Sequence, residues 1–347
     1  MNKFLKWLFV AFVTLILLPF TILFFIFRKA KGVPVAHPEN LENLDEDAKE
    51  YVKSKGSTTD IGTRYKYLRI TDKLTPVRPS VHVGLVEDKK INGPKGTQLP
   101  IRIYTPIADG PYKVMLYFHD GGFINGSIQT TDALARDIVE ETGFKVITVD
   151  YRLAPDSPFP AAIEDAYTAL EWAHSHPASL GYDGTGFIVA GEGAGANLAA
   201  VISIMARDKK SPATISEQLL FSPITDIFSR DASVLYPSFD TFDEGFVLTK
   251  DGLDKMFSLY IADNYNLKYN PLVAPIRTKD LSNLPPALII SAQFDPLRDQ
   301  SRKYAEALKK ADVTVDYHEI ERVTHGYMEH LPRAASHVLQ LVNKFVK

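Results

Sequence analysis

Apolar and polar positions divide the 347-residue chain into a short N-terminal segment and a long remainder. Residues 7–27 form a run of twenty-one residues without a charge, with basic residues on both sides. As a helix, this run would span about 32 Å, enough to cross a hydrocarbon core of about 30 Å. A cleaved secretory signal is the alternative, but its apolar region is usually shorter, about 7–15 residues. The pattern therefore predicts a single-pass N-terminal anchor and a membrane localisation, with the side of the remainder left open.

The remainder alternates between short apolar runs typical of strands and patterns typical of helices. Strands are predicted at 81–86, 99–104, 114–118, 145–149, 186–190, 218–221, 287–291 and 313–320. Helices are predicted at 40–55, 131–142, 161–176, 194–208, 298–311 and 334–347. Several strands are apolar throughout, as expected when both faces of a sheet are covered. The alternation predicts an α/β fold with an eight-stranded, mostly parallel sheet and helices on both faces.

Composition narrows the classes of function. Thirty-nine basic against forty-two acidic residues give a net charge of −3, which argues against a nucleic-acid-binding protein. Hydrophobic residues at 45% and charged residues at 23% exclude wholesale disorder. The absence of cysteine excludes disulfides, thiolate zinc sites and cysteine nucleophiles.

Two glycine-containing motifs follow predicted strands. His119-Asp120-Gly121-Gly122-Phe123 comes after strand 114–118, and its consecutive glycines would let backbone N–H groups approach a substrate, as an oxyanion hole requires. A plain glycine turn is the alternative. Gly191-Glu192-Gly193-Ala194-Gly195 joins strand 186–190 to a helix, which is the context of a nucleophile elbow. Its central residue, Gly193, carries no hydroxyl.

An acid and a histidine follow at later strand ends. Asp295 comes after strand 287–291 and His325 after the last strand, so the order elbow, acid, histidine is that of an α/β-hydrolase. An acid that orients a histidine, which deprotonates a nucleophile, is the required logic. Asp299 is the alternative acid. The remaining histidines considered are assigned structural roles: His174, His176, His318 and His330. Arg152 is predicted to pair with a nearby carboxylate.

From about Val81 onward the chain resembles the hormone-sensitive-lipase branch of the α/β-hydrolases, and its N-terminal run resembles the arylacetamide deacetylase group of that branch. The resemblance rests on the motifs above and on the stretch 151–165. It implies ester hydrolysis on short or medium acyl esters, with no metal or cofactor, and a small hydrophobic ester or acyl ligand as partner. It also implies oxyanion donors at Gly121, Gly122 and Ala194, an Asp295–His325 acid–base pair, and the nucleophile's position at Gly193.

The resemblance further implies a helical cap. The predicted division is an anchor at 1–34, an N-terminal cap segment at 35–75 and a hydrolase domain at 76–347, with a cap insertion at about 226–270. In that insertion the alternation of strands and helices is interrupted.

Two positions depart from the family pattern. Asp120 stands where the family usually has glycine, a change expected to be minor. Gly193 stands where the family has its nucleophilic serine, so an acyl-enzyme cannot form and the hydrolase is expected to be impaired or inactive, with Gly193→Ser restoring activity. The alternatives are a non-catalytic, receptor-like ligand-binding protein and a serine-independent lyase or dehydratase that uses His325. The retained acid–base pair favours the catalytic hypotheses.

Overall fold

An eight-stranded sheet organises the protein in the computed structural model, which describes residues 18–29, 38–74, 81–227, 235–244 and 246–346. The strands are β1 Leu85–Asn92, β2 Gln98–Thr105, β3 Tyr112–Phe118, β4 Lys145–Val149, β5 Tyr182–Glu192, β6 Ile215–Phe221, β7 Ala287–Phe294 and β8 Val315–Thr324. Their spatial order is β1-β2-β4-β3-β5-β6-β7-β8. The β1–β2 and β2–β4 pairs are antiparallel and the others are parallel. The predicted eight-stranded, mostly parallel sheet is confirmed.

Helices cover both faces of this sheet, as predicted. The longer ones are α1 Glu46–Lys55, α2 Ile61–Leu74, α3 Ile128–Thr142, α4 Ala161–Ser175, α5 Gly193–Asp208, α6 Lys250–Tyr260, α7 Arg298–Lys310 and α8 Pro332–Phe345. On one face, buried residues of α3 and α8, such as Leu134 and Val338, join one apolar core. On the other face, α4, α5 and α7 contribute buried residues such as Leu170, Leu198 and Leu308 to a second core. Both sheet faces are thus withdrawn from water, which explains the apolar central strands.

Two kinds of element differ from the sequence-based expectation. The first strand was predicted at 81–86 and lies at Leu85–Asn92. Among the described residues it lies at the edge of the sheet and pairs with β2 alone, so most of its side chains reach solvent and its sequence is too polar to be recognised as a strand. Helices α2 and α6 were not predicted, because each buries only a narrow apolar stripe. In α2 that stripe is Ile61, Tyr65 and Leu68.

The N-terminal prediction is corrected by the structure. Residues 1–17 lie outside the described residues, so the first half of the predicted span cannot be compared. The second half belongs to a helix at 18–29. Of all helices in the described ranges, none has both the length and the apolar character that crossing a membrane requires. This finding overturns the predicted transmembrane helix at 7–27 and the single-pass membrane localisation derived from it.

Candidate active site

A cavity of about 100 Å³ lies at the carboxyl ends of the central strands. Its floor includes residues that follow strands, among them Asp120, Gly122 and His325. Helices α1, α2 and α6 also line the cavity, and α2 and α6 supply much of its apolar surface. The apolar lining includes Ile61, Leu68, Val247, Leu253 and Met256. Ligands of open α/β sheets bind at this edge, so the cavity is the candidate active site.

The predicted elbow forms at the junction of β5 and α5. The strand ends at Glu192 and the helix begins at Gly193, whose φ of 53° lies in the left-handed region that favours glycine. The flanking glycine at 195 is required by packing, since a Cβ atom there would lie 1.9 Å from the carbonyl oxygen of Phe118. The local sequence therefore folds into a tight strand–turn–helix that aims position 193 at the sheet edge.

Asp120 occupies the space in front of this elbow. A Cβ atom at position 193 would lie 2.1 Å from Oδ1 of Asp120, too close for any side chain to be accommodated without movement. The carboxylate thus fills the volume where a side chain of residue 193 would begin. The departure at Asp120, which was expected to be minor, therefore lies at the centre of the site. The sequence contained one indication of this contact, because both glycine-containing motifs depart from the family pattern in the same chain.

Backbone donors hold the Asp120 carboxylate. The N–H of Ala194 donates to Oδ1 at 2.9 Å and the N–H of Gly122 at 3.5 Å. These are two of the three amides expected to form an oxyanion hole. Gly121, the third, shapes the loop: its φ is 124°, and a Cβ atom there would lie 2.0 Å from the carbonyl oxygen of Asn125. Two donors therefore converge on an oxygen atom that the protein itself supplies.

His325 lies between two carboxylates. Its Nδ1 is 2.8 Å from Oδ2 of Asp295, and its Nε2 is 2.9 Å from Oδ2 of Asp120. Asp295 is fully buried and also accepts hydrogen bonds from Ser222 Oγ at 2.6 Å and Leu297 N at 2.8 Å. Ser222 was not singled out in the sequence, because no motif marks it.

Neighbouring predictions can be compared directly with the geometry. The alternative acid, Asp299, accepts instead from Ser238 N at 2.6 Å, whereas Asp295 is the carboxylate at Nδ1 of His325. Arg152 pairs with Asp165 at 2.9 Å, as expected. Among the histidines assigned structural roles, His330 stacks on the ring of Tyr51 at the edge of the cavity, with ring centroids 4.7 Å apart.

The charges at this site stabilise one another. Burial acts to lower the pKa of His325, but the carboxylates of Asp295 and Asp120 outweigh it and raise that pKa well above its usual value. Burial acts to raise the pKa of Asp120, but the imidazole and the backbone N–H of Ala194 outweigh it and lower that pKa to about 2. The two neighbouring carboxyl groups therefore favour the imidazolium form of His325.

Two further acids connect the elbow to the loop that carries Asp120. Glu192, at the end of β5, accepts hydrogen bonds from the N–H groups of Met328 at 3.1 Å and Glu329 at 3.3 Å. Glu329 in turn accepts from the N–H of Asp120 at 3.2 Å. Burial raises the pKa of Glu192 well above its usual value and that of Glu329 to about 7. Within the described ranges, no cluster of three or more His, Asp or Glu side chains is arranged to hold a metal ion.

Comparisons with known proteins identify the family and the fold. A family model described as the alpha/beta hydrolase fold matches residues 115–329. The chain is 38% identical over 255 residues to the carboxylic ester hydrolase LipN of Mycobacterium tuberculosis, an alignment that covers 72% of this chain and 66% of LipN. It is 34% identical over 290 residues to an arylesterase of Saccharolobus solfataricus, covering 82% of this chain and 92% of that protein. A solved structure of a Pyrobaculum calidifontis esterase superposes with a TM-score of 0.74 at 33% identity, covering 84% of this chain and 94% of the other.

Proposed function

We propose, from the premise that this chain belongs to the carboxylic ester hydrolase family of the α/β-hydrolase fold, that its cavity is an ester hydrolase site in which a carboxylate stands in the nucleophile's place. The observation that carries the proposal is the position of Asp120, whose carboxylate contacts the amide of Ala194, the imidazole of His325 and the space above Gly193. A serine hydroxyl and the oxyanion formed on its substrate would need the same partners.

As the chain stands, it hydrolyses carboxylic esters slowly at best. Gly193 offers no hydroxyl, so no acyl-enzyme forms there. The carboxylates at both ring nitrogens favour the imidazolium form of His325, which carries a proton on each nitrogen and cannot accept another from water while Asp120 stays in place. The oxyanion donors are also engaged by Asp120. The apolar lining and small volume of the cavity support short acyl esters as the substrate class.

This arrangement changes what reactivation requires. In Gly193→Ser alone, the new Cβ meets the Asp120 carboxylate, so the serine enters only by displacing a charge that is paired with His325. Asp120→Gly removes that obstacle, frees both amide donors and places at 120 the residue that the family usually has. The double variant Asp120→Gly/Gly193→Ser is therefore expected to recover the serine-dependent reaction.

The test measures hydrolysis of p-nitrophenyl acetate and butyrate by the unaltered chain, each single variant and the double variant. We expect the double variant to exceed the unaltered chain by about a thousandfold or more, because removing one member of a triad costs at least this much. Gly193→Ser alone should recover far less. A fluorophosphonate probe should label residue 193 in the double variant and leave the unaltered chain unlabelled at that position.

Two controls make the result decisive. The matched variant Asp120→Gly/Gly193→Ala opens the same space without a nucleophile and should stay inactive. Adding His325→Ala to the active double variant should abolish its gain. A double variant that is folded by circular dichroism, yet neither hydrolyses these esters nor reacts with the probe, would refute the proposed site.

A further inference from the structure

The two oxygen atoms of Asp120 meet different chemical groups. Oδ1 accepts from the backbone N–H groups of Ala194 and Gly122, whereas Oδ2 faces Nε2 of His325. Amide donors at one oxygen and an imidazole at the other form the arrangement needed to hydrolyse an ester, here one whose acyl group is Asp120 itself. The site is therefore organised around an ester formed on the protein as well as around an ester that enters from solution.

We propose that Asp120 is a carboxylate nucleophile and that the unaltered chain hydrolyses short primary alkyl halides through an alkyl ester on Asp120. Carboxylates act as covalent nucleophiles in several enzyme classes. This activity breaks a carbon–halogen bond and needs no hydroxyl at position 193. It also explains why residue 193 is glycine, since any side chain there would collide with the Asp120 carboxylate.

The first step is a displacement at carbon. Oδ2 of Asp120 attacks the carbon that bears the halogen, the carbon–oxygen bond forms, and the halide leaves with the bonding electron pair. The carboxylate becomes a neutral ester, so His325 retains only Asp295 as a charged hydrogen-bond partner. Its proton is then released to solvent, which leaves a neutral imidazole beside the ester.

The second step is hydrolysis of this ester. His325 takes a proton from water, and the resulting hydroxide attacks Cγ of Asp120. The negative charge that develops on Oδ1 is stabilised by the N–H groups of Ala194 and Gly122. The bond from Cγ to the alkyl-bearing oxygen breaks, and the alkoxide takes the proton from His325. The new carboxylic acid returns its own proton to His325, so alkyl halide and water give alcohol, halide and one proton.

The cavity lining supports this substrate class. In an in-line displacement the halide departs on the side away from the nucleophile. Asp120 lines the cavity from the end of β3, whereas Lys55 of α1 and Arg64 of α2 line it from helices. Arg64 also donates to the carbonyl oxygen of Ser57 at 3.0 Å and pairs with the carboxylate of Asp60 at 3.2 Å, and these two contacts fix the position of its guanidinium. The lining therefore offers cationic side chains to an anionic leaving group and apolar ones to the alkyl chain, and it also contains the acids Asp72 and Glu329.

The experiment incubates the unaltered full chain with butyl bromide in water enriched in the heavy stable isotope of oxygen. We expect release of bromide, butanol and one proton per turnover. After a single turnover the butanol should contain light oxygen taken from Asp120, and the peptide that contains Asp120 should gain a heavy oxygen atom. In His325→Gln, the second step should stop and the same peptide should gain a butyl group.

Variants separate this chemistry from non-specific alkylation. Asp120→Asn should reduce bromide release by at least about a hundredfold, because it removes the attacking oxygen anion. Asp88→Asn, at an exposed carboxylate of β1 outside the cavity, should leave it unchanged. No bromide release from the unaltered chain would overturn the proposal, as would heavy oxygen in the first-turnover butanol with none at Asp120. Since the proposed ester hydrolysis is tested on Asp120→Gly/Gly193→Ser, either proposal can fail while the other stands.

Discussion

The two sides of His325 differ in how their carboxylates are held. Asp295, at Nδ1, is fully buried and has two further donors in Ser222 and Leu297. Asp120, at Nε2, borders the cavity with 19% of its side chain exposed, and its donors are amides that were expected to form the oxyanion hole. In the proposed site, the first carboxylate orients the imidazole as in an ordinary hydrolase, whereas the second fills the nucleophile's position. The proposed site thus has the acid half of a hydrolase triad and differs in its nucleophile half.

The largest expected effect is a loss of stability when the buried carboxylate of Asp295 is removed. Asp295→Ala should lower the free energy of unfolding by about 3–5 kcal/mol, because it leaves Ser222 Oγ, the N–H of Leu297 and Nδ1 of His325 without their acceptor in a buried place. Asp120→Ala should cost less, since solvent from the cavity can reach the donors that it leaves. Urea denaturation of both variants measures the difference, and equal losses would show that the two carboxylates are not held differently.

The Asp295–His325 pair could be predicted from the sequence, whereas the position of Asp120 beside His325 could not. Asp295 and His325 follow strands in an order that local patterns reveal, and the sheet edge brings strand ends together. The role of Asp120 depends on a contact with the elbow, and its bond to Ala194 spans 74 positions in the chain. Ser222 was missed for a similar reason, since only the folded sheet brings it to Asp295. Motifs contained in one segment of the chain could thus be predicted, whereas side-chain contacts between distant motifs could be found only in the structure.

An effect of intermediate size concerns pH. The pKa of Asp120 in the folded protein, about 2, lies below its ordinary value of 3.8, so its stabilising contribution is present above about pH 4 and is lost as pH falls through 2. The pKa of His325 is raised above 6.5, so its contribution is complete below 6.5 and is lost as pH rises through the folded value. Between pH 4 and 6.5, Asp120→Asn should therefore cost about 2 kcal/mol, from a shift of nearly two pKa units.

That cost should shrink at both ends of the pH range. Denaturation of the unaltered chain and of Asp120→Asn at several pH values measures it, and NMR titration of the His325 ring should show a lower pKa in the variant. A cost that stays constant from pH 2 to 10 would mean that the Asp120–His325 pair contributes no charge-dependent stability, and the cavity side would then differ from the buried side only in packing.

The smallest expected effect is an energetic coupling between residues 120 and 193. Gly193→Ala introduces a Cβ at a φ of 53°, which costs about 1 kcal/mol in any background. In the unaltered chain it must also push the Asp120 carboxylate off its partners, whereas in an Asp120→Gly background that carboxylate is gone. The four proteins of this cycle, compared by urea denaturation, should give a coupling energy of about 1–2 kcal/mol, as expected for side chains in direct contact.

Additive costs would mean that the Asp120 carboxylate moves aside without loss of stability, and that Gly193 differs from the family pattern only by lacking the serine hydroxyl. A coupling of the expected size would instead identify glycine as the residue that Asp120 requires, which makes the two departures from the family pattern a single structural change.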